Sequence, residues 1–235
     1  MTQILKDTTS KCYPEDFVGN VICGDALEVM RSIPDGTIDA IVTDPPYGLN
    51  KESIRNDVNL DVFYKVLPEL HRVAKDNSWF ISFFSTKYLP KIFCNNPFEY
   101  FWQVVLYCPE ASVLSPIGTT RYMSVMVFKK GKPKINERIE DIIKDTPGRQ
   151  IEPDEGYIDH PTPKPKHFIM HLLRAFSKKD DVVLDPFSGS GSILLAARLL
   201  ERRFIGIEIE KKFCEMACRR LISYNADRRV TSVSL

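Results

Sequence analysis

Six consecutive residues, Thr43-Asp44-Pro45-Pro46-Tyr47-Gly48, place an acid, two prolines and an aromatic ring behind an apolar run, Ile38-Asp39-Ala40-Ile41-Val42. The run reads as a buried strand. Proline fixes φ and offers no N–H to a sheet, and Pro45 pushes Asp44 towards extended backbone. The product is a stiff corner at the carboxyl end of a strand, carrying the Asp44 carboxylate, the Pro45 carbonyl and the Tyr47 ring. Two fixed acceptors of this kind suit an exocyclic amine such as that of adenine, whose lone pair is delocalised into its ring. Hydrogen bonds from the NH₂ group to both acceptors favour a pyramidal nitrogen with its lone pair aimed outward. A rigid corner keeps that arrangement preorganised. The ring beside it can stack on a base taken out of a helix. The plain alternative is a Pro-Pro turn with Asp44 as a solvated turn residue, and a second motif far downstream counts against it.

That second motif is Asp185-Pro186-Phe187-Ser188-Gly189-Ser190-Gly191-Ser192. A strand, Asp181 to Leu184, runs into it. A mostly apolar helix, Ile193 to Leu200, leaves it, and a strand, Phe204 to Ile207, ends at Glu208. Strand, Gly-x-Gly loop, helix and acid-tipped strand form the layout of a nucleotide-binding unit, with the acid at the second tip binding a ribose diol. Glu208 follows Asp185 at roughly the 20-residue spacing such units use. The dinucleotide fingerprint wants a third glycine where this chain has Leu194, and Asp185 adds negative charge where a pyrophosphate would sit. A carboxylate there suits a cationic cofactor with an amino group, and S-adenosylmethionine fits that description.

The elements that must position these motifs alternate. Asn20 to Cys23 is a short strand ending at Gly24-Asp25, and Ala26 to Ser32 a short helix that Asp25 can cap. The strand into Asp44 comes next. Residues 48–60 are polar and placed to form a mobile loop over the Asp44 corner. Phe63, Val66, Leu67, Leu70, Val73 and Ala74 recur at helical spacing over 61–75. Trp79 to Phe84 is apolar enough for a strand buried on both faces. A helix over Thr86–Phe93, strands over Phe101–Tyr107 and Met123–Phe128, and a loop over Pro109–Arg121 follow. From Lys129 to Asp159 the chain is polar and proline-bearing, a linker or excursion whose basic start, Lys129 to Lys134, reads as a solvated loop or as a phosphate-contacting patch. His160-Pro161-Thr162-Pro163-Lys164-Pro165 is a rigid extended segment before a helix with Phe168, Ile169, Leu172, Leu173 and Phe176 on one face. A last helix covers Lys212 to Tyr224. Alternation of strands and helices predicts a parallel α/β sheet.

The 235 residues suffice for one sizeable core, so a single domain over 1–235 is expected, with an insert at about 109–159. The net charge of +1 means that any nucleic acid must be met by a local patch rather than by a global basic field. Cys12, Cys23, Cys94, Cys108, Cys214 and Cys218 contain no CxxC pair, which speaks against zinc and for a reduced, cytoplasmic compartment. Residues 1–20 are polar, with no signal peptide pattern, and no apolar run is long enough to span a bilayer.

Asp44-Pro45-Pro46-Tyr47 together with Asp185-Pro186-Phe187-Ser188-Gly189-Ser190-Gly191 resembles the amino-methyltransferases of DNA. The catalytic motif preceding the cofactor motif is similar to the permuted order of the beta class. Gly24-Asp25, the HPTPKP segment and Phe204-Ile205-Gly206-Ile207-Glu208 fall where that class has its blocks. The resemblance implies a Rossmann-like class I methyltransferase fold, a mostly parallel sheet with helices on both faces. It implies S-adenosylmethionine as cofactor and a base of double-stranded DNA, flipped out of the helix, as substrate. By the same resemblance Asp44, Pro45, Pro46 and Tyr47 hold the target amine. Asp44, Asp185, Phe187, Ser188, Gly189 and Gly191 line the cofactor, Glu208 takes its ribose hydroxyls, Asp25 its adenine, and Thr162 and Lys164 its methionine end. Thr162 and Lys164 could instead only brace the proline segment, and Phe187 could be a core residue. Family members carry a larger recognition insert, which leaves a short recognition site, an RNA substrate or a second subunit as ways to make up the difference. A restriction-endonuclease partner or a phage context would suit such an enzyme. The expected reaction is methylation of N6 of adenine. N4-cytosine methylation needs the same amine chemistry, and a non-catalytic nucleic-acid-binding protein keeping the fold is the rival of another class. A dehydrogenase is counted against by the missing third glycine.

Overall fold

The computed structural model describes residues 4–5, 12–46, 60–110, 113–115, 117–144, 151–152, 156–157 and 164–231. Among them are thirteen strands and five α-helices. The first is β1 (Ile4–Leu5), then β2 (Val21–Cys23), α1 (Ala26–Met30), β3 (Ile38–Thr43), α2 (Asp61–Val73) and β4 (Ala74–Phe84). A 3-10 helix over Thr86–Phe93 stands where an α-helix was expected. Next come β5 (Glu99–Tyr107), β6 (Val113–Ser115), β7 (Gly118–Thr120), β8 (Tyr122–Lys130), β9 (Ile142–Lys144), β10 (Ile151–Glu152) and β11 (Gly156–Tyr157). The chain closes with α3 (Lys166–Phe176), β12 (Val182–Asp185), α4 (Ser192–Leu199), β13 (Arg203–Glu208) and α5 (Lys211–Thr231). Strands and helices alternate as the sequence predicts from β2 to β4 and from α3 to α5, with seven strands in succession between.

Nine of the strands form one sheet in the order β1-β2-β13-β12-β3-β4-β8-β5-β9. Every described pairing in it is parallel except those of β8, which runs against both β4 and β5. The two motifs therefore arrive side by side. β3 and β12 are neighbours, with Leu184 opposite Ile41, although the chain leaves β3 for β4 on one side and β12 for β13 on the other. Such a reversal opens a crevice at the carboxyl ends of the strands, and Asp44 and Asp185 stand at its two lips.

Both faces of the sheet are covered, which explains why its central strands are apolar throughout. On one face α3, α4 and α5 pack Phe168, Ile169, Leu172, Ile193, Leu194 and Ala217 against Val42, Ile81, Val125 and Val183. On the other, α1 and α2 pack Met30, Phe63, Leu67 and Leu70 against Ile41, Phe80, Leu184 and Ile205. At the amino ends, Asp39 locks β3 to its neighbours, accepting from Val182 N at 2.9 Å and pairing with Lys75 at 2.5 Å.

The stretch from Lys129 is no free excursion at its start. Lys129, next to last in β8, pairs with Glu99 at 2.9 Å. Lys130 Nζ donates to the His71 and Ala74 carbonyls at 2.9 and 2.8 Å, covering acceptors where α2 meets β4. The Lys134 carbonyl accepts from Trp79 Nε1 at 3.2 Å, and Asn136 N donates to Ala175 O at 2.8 Å. Antiparallel pairing puts all of this at the amino end of β4, the end of the sheet opposite Asp44. The basic run is thus part of β8 at Lys129 and Lys130 and an exposed loop at Lys132 and Lys134, all of it away from the crevice. Within the expected loop 109–121, Val113–Ser115 and Gly118–Thr120 form an antiparallel hairpin. Tyr47, Thr162 and the 48–59 loop lie outside the described residues.

Candidate active site at the carboxyl ends of the central strands

Asp44 follows the last residue of β3, and both following prolines keep the chain from continuing the strand. Its Oδ2 accepts from Lys164 Nζ, which arrives on the extended segment just before α3. The pair is well covered, with side-chain exposures of 20% for Asp44 and 10% for Lys164. Lys164 also lies over the Phe83 ring, 5.4 Å from its centroid, a cation–π contact that holds the ammonium in place. Asp44 Oδ1 is buried and finds no hydrogen-bond partner among the described residues. A buried acceptor of that kind costs about 1–3 kcal/mol until a donor reaches it, and that donor must come from outside the described chain. Pro45 is buried beside it.

Asp185, the neighbouring tip, is buried at 1% exposure. Its Oδ1 accepts from the Thr43 hydroxyl at 2.9 Å and from Phe187 N at 3.1 Å. Burial, reinforced by the negative charges of Asp44 and Glu208, pushes its carboxyl up to about 8, although the Thr43 and Phe187 bonds favour the ionised form. Glu208 at the tip of β13 is also pushed upward, chiefly by burial. Its Oε2 accepts from Gly189 N and its Oε1 from Glu210 N, each at 2.8 Å. Glu208 therefore ties the glycine loop to its own strand, and each oxygen keeps a second lone pair for a hydroxyl donor.

The loop between the two tips is folded by glycine. Gly189 and Gly191 have φ of +49° and +79°, values that L side chains rarely adopt. At Gly191 a Cβ would also stand 2.8 Å from Ala217 Cβ on α5. From the same helix Arg220 Nη1 donates to Ser190 O at 2.6 Å and to the Ser190 and Ser192 hydroxyls at 3.1 Å. Ser188 Oγ is buried without a partner among the described residues. Phe187 is half-buried against the core on the α1–α2 face.

The glycine missing from the helix is found on a strand. A Cβ at Gly206 would fall inside contact distance of Leu194 Cδ1. The close packing of helix on strand that a third glycine gives a dinucleotide fold is obtained here with Leu194 on α4 and Gly206 on β13. Asp25 acts as the N-cap of α1, its Oδ1 accepting from Leu27 N at 2.9 Å and Glu28 N at 3.2 Å.

The structure thus brings Asp25, Asp44, Pro45, Pro46, Lys164, Asp185, Phe187, Ser188, Gly189, Gly191 and Glu208 to one end of the sheet. Lys164 meets Asp44 directly, a contact that the sequence did not indicate. Thr43 reads in the sequence only as the first residue of its motif, Phe83 only as part of a strand and Arg220 only as part of the last helix. Three acids at one mouth, two of them pushed towards protonation, call for a cation. The unpartnered Ser188 hydroxyl and the glycine cradle leave room for a polar ligand close to backbone. This donor set fits a cofactor that joins a positive centre, an amino group and a ribose.

Residues 38–219 match the family model described as DNA methylase, N6/N4 type. The chain belongs to that family and is an S-adenosylmethionine-dependent DNA methyltransferase with a Rossmann-like class I fold and permuted motif order. Among its relatives is the DNA adenine methyltransferase YhdJ of Escherichia coli K12, 29% identical over 89% of this chain and 86% of the relative. The type II methyltransferase M.HpaI of Haemophilus parainfluenzae is 28% identical over 86% of this chain and 74% of its own. The solved PvuII cytosine-N4-specific methyltransferase superposes with a TM-score of 0.72 at 18% identity, covering 85% of each chain. The M1.HpyAVI complex with S-adenosylmethionine gives 0.64 at 24% identity, over 94% of this chain and 100% of that one.

Proposed function

We propose that this enzyme methylates N6 of adenine in double-stranded DNA, acting on a base turned out of the helix into the Asp44 corner. One observation carries the reading. Among the described residues Asp44 Oδ1 is buried without a hydrogen-bond partner, while Lys164 occupies Oδ2. An amine donor fits that vacancy on one side and the Pro45 carbonyl on the other, with its lone pair left outward. Tyr47, next in the motif, supplies a ring for the base. Asp44 is also the acceptor for the proton that the amine loses. When bound, the cofactor supplies an electrophilic methyl group on a sulfonium. Asp185 and the loop Phe187, Ser188, Gly189 and Gly191 face it, Glu208 takes its ribose diol and Asp25 its adenine, while Thr162 and Lys164 stand towards its methionine end.

The choice of adenine rests on the aspartate that opens the motif and on the adenine-specific relative. The PvuII fold supports the second reading, N4-cytosine, which the same acceptor pair would serve. The chain acts as one catalytic domain in which residues 109–121 contribute to the recognition insert, because Tyr122–Lys130 is strand β8 of the main sheet. A second copy of the chain, or a restriction endonuclease sharing the recognition site, is the partner that the type II relatives suggest. Among the described residues no two cysteines form a disulfide, which fits a reduced compartment such as the cytoplasm. Among the described residues no helix is long and apolar enough to cross a membrane.

The test is to incubate the purified protein with unmethylated DNA and isotope-labelled cofactor, digest to nucleosides and separate them by mass. Labelled N6-methyladenine is expected. N4-methylcytosine alone would transfer the reading to the other base, and label on RNA but not on DNA would overturn the substrate. Asp44→Ala should lose on the order of 10²–10³ or more of the single-turnover rate, the range for one preorganised polar group, with cofactor affinity largely kept.

A further inference from the structure

The β6–β7 hairpin stands at the same end of the sheet as Asp44. β5 runs parallel to β3, so its last residue, Tyr107, and the first residue of β8, Tyr122, lie on the rim that carries the catalytic corner. They face one another across the ladder, each 40% exposed. Cys108 N donates to Arg121 O at 2.7 Å just beyond them, and from there the chain rises into Val113–Ser115 and Gly118–Thr120. Three residues per strand at ~3.3 Å each give the hairpin a length of about 10 Å. Three strand spacings of ~4.8 Å put its base about 14 Å from the end of β3. The Ser115–Gly118 pairing leaves Ile117 in the turn, 96% exposed. Turns favour Gly, Asn, Asp and Ser, so a β-branched apolar residue there serves no local purpose. On the β4, β5, β8 and β9 side of this rim, Lys87, Arg121 and Lys144 are exposed cations and Glu110 is an exposed anion.

A base held at Asp44 leaves a gap in the duplex a short distance above the rim. A projecting hairpin with an apolar tip and cations at its foot is shaped to fill that gap, as apolar wedges do between base steps. We infer that the hairpin Val113–Thr120 enters the DNA beside the target base pair, with Ile117 taking the place of the extruded base in the stack. Tyr107 and Tyr122 lie under the neighbouring nucleotides, and Arg121, Lys144 and Lys87 meet phosphates. The inference rests on the reading that the target base is turned out into the Asp44 corner.

Duplex oligonucleotides carrying the methylated site, located first by mapping the modified base in treated DNA, provide the test. In one duplex the target base is paired, and in the other it faces an abasic position, where no partner opposes extrusion and the gap is already open. Ile117→Ala should lower kcat/KM at least tenfold on the paired duplex and less than threefold on the abasic one, with unchanged affinity for S-adenosylmethionine. Equal losses on both duplexes, or no loss on either, would overturn the wedge. If the wild-type protein methylates no DNA, the failure lies in the enzyme reading instead. Ile117 packs on nothing in the described structure, so its replacement leaves the fold in place.

Discussion

Lys164 and Asp44, 120 positions apart in the chain, form a covered ion pair at the carboxyl end of β3, with Nζ donating to Oδ2. The pair divides the carboxylate between two tasks. One oxygen is held and oriented by the ammonium, and the other has no hydrogen-bond partner among the described residues. Lys164→Met should lower single-turnover methyl transfer more than tenfold, with Lys164→Arg recovering part of it, while the cofactor dissociation constant changes less than threefold. A large rise in that constant with intact chemistry would place Lys164 on the methionine end alone.

Glu208 carries two loads, and its replacement should show both. Glu208→Ala removes acceptors for Gly189 N and Glu210 N. It is expected to weaken S-adenosylmethionine by at least ~1.5 kcal/mol, the low end for hydrogen bonds to a charged group. Thermal denaturation without cofactor should also show a lower Tm. Calorimetry giving wild-type affinity in a folded variant would remove Glu208 from the ribose site.

The buried Asp185 gives cofactor-free protein a distinctive pH dependence. Its carboxyl titrates near 3.8 when unfolded and at about 8 when folded. Between those values the unfolded chain is ionised while the folded one holds its proton. The contribution of this group to stability is therefore full below pH 4 and declines as pH rises to about 8, at up to ~1.4 kcal/mol per pH unit. Asp185→Asn should flatten that decline in urea titrations taken between pH 5 and 8. Cofactor binding at pH 7 should release a proton, seen as a binding enthalpy that varies with the ionisation enthalpy of the buffer. A buffer-independent enthalpy would mean that Asp185 keeps its proton beside the cofactor.

The basic run at 129–134 should matter to folding rather than to DNA. Lys130→Met leaves the His71 and Ala74 carbonyls without their donor and should cost about 1–3 kcal/mol. The dependence of DNA binding on salt should not change, whereas Arg121→Gln should reduce its slope by about one unit. The reverse pattern would return the phosphate contacts to the 129–134 run.

The amino-acid sequence by itself determined the alternation of strands and helices, the two acid-tipped loops and the cofactor class. Each of these rests on local physics: apolar period, the φ restriction of proline and the φ freedom of glycine. The adjacency of β3 and β12, which makes one site of two motifs, is a long-range pairing that no local pattern encodes. The same holds for Lys164, which the sequence offered to the methionine end of the cofactor or to a proline brace and which the approach of α3 brings onto Asp44. It holds for Lys129 and Lys130 too, whose charge left a phosphate contact open but which, at the amino end of β4, pair with Glu99 and donate to the His71 and Ala74 carbonyls. Gly206 is the clearest case. A glycine inside an apolar strand carries no signal of its own, and only the contact with Leu194 shows that it does the packing a helix glycine does elsewhere. Charge and glycine acquire their meaning from what stands opposite them, and the tertiary structure alone decides that.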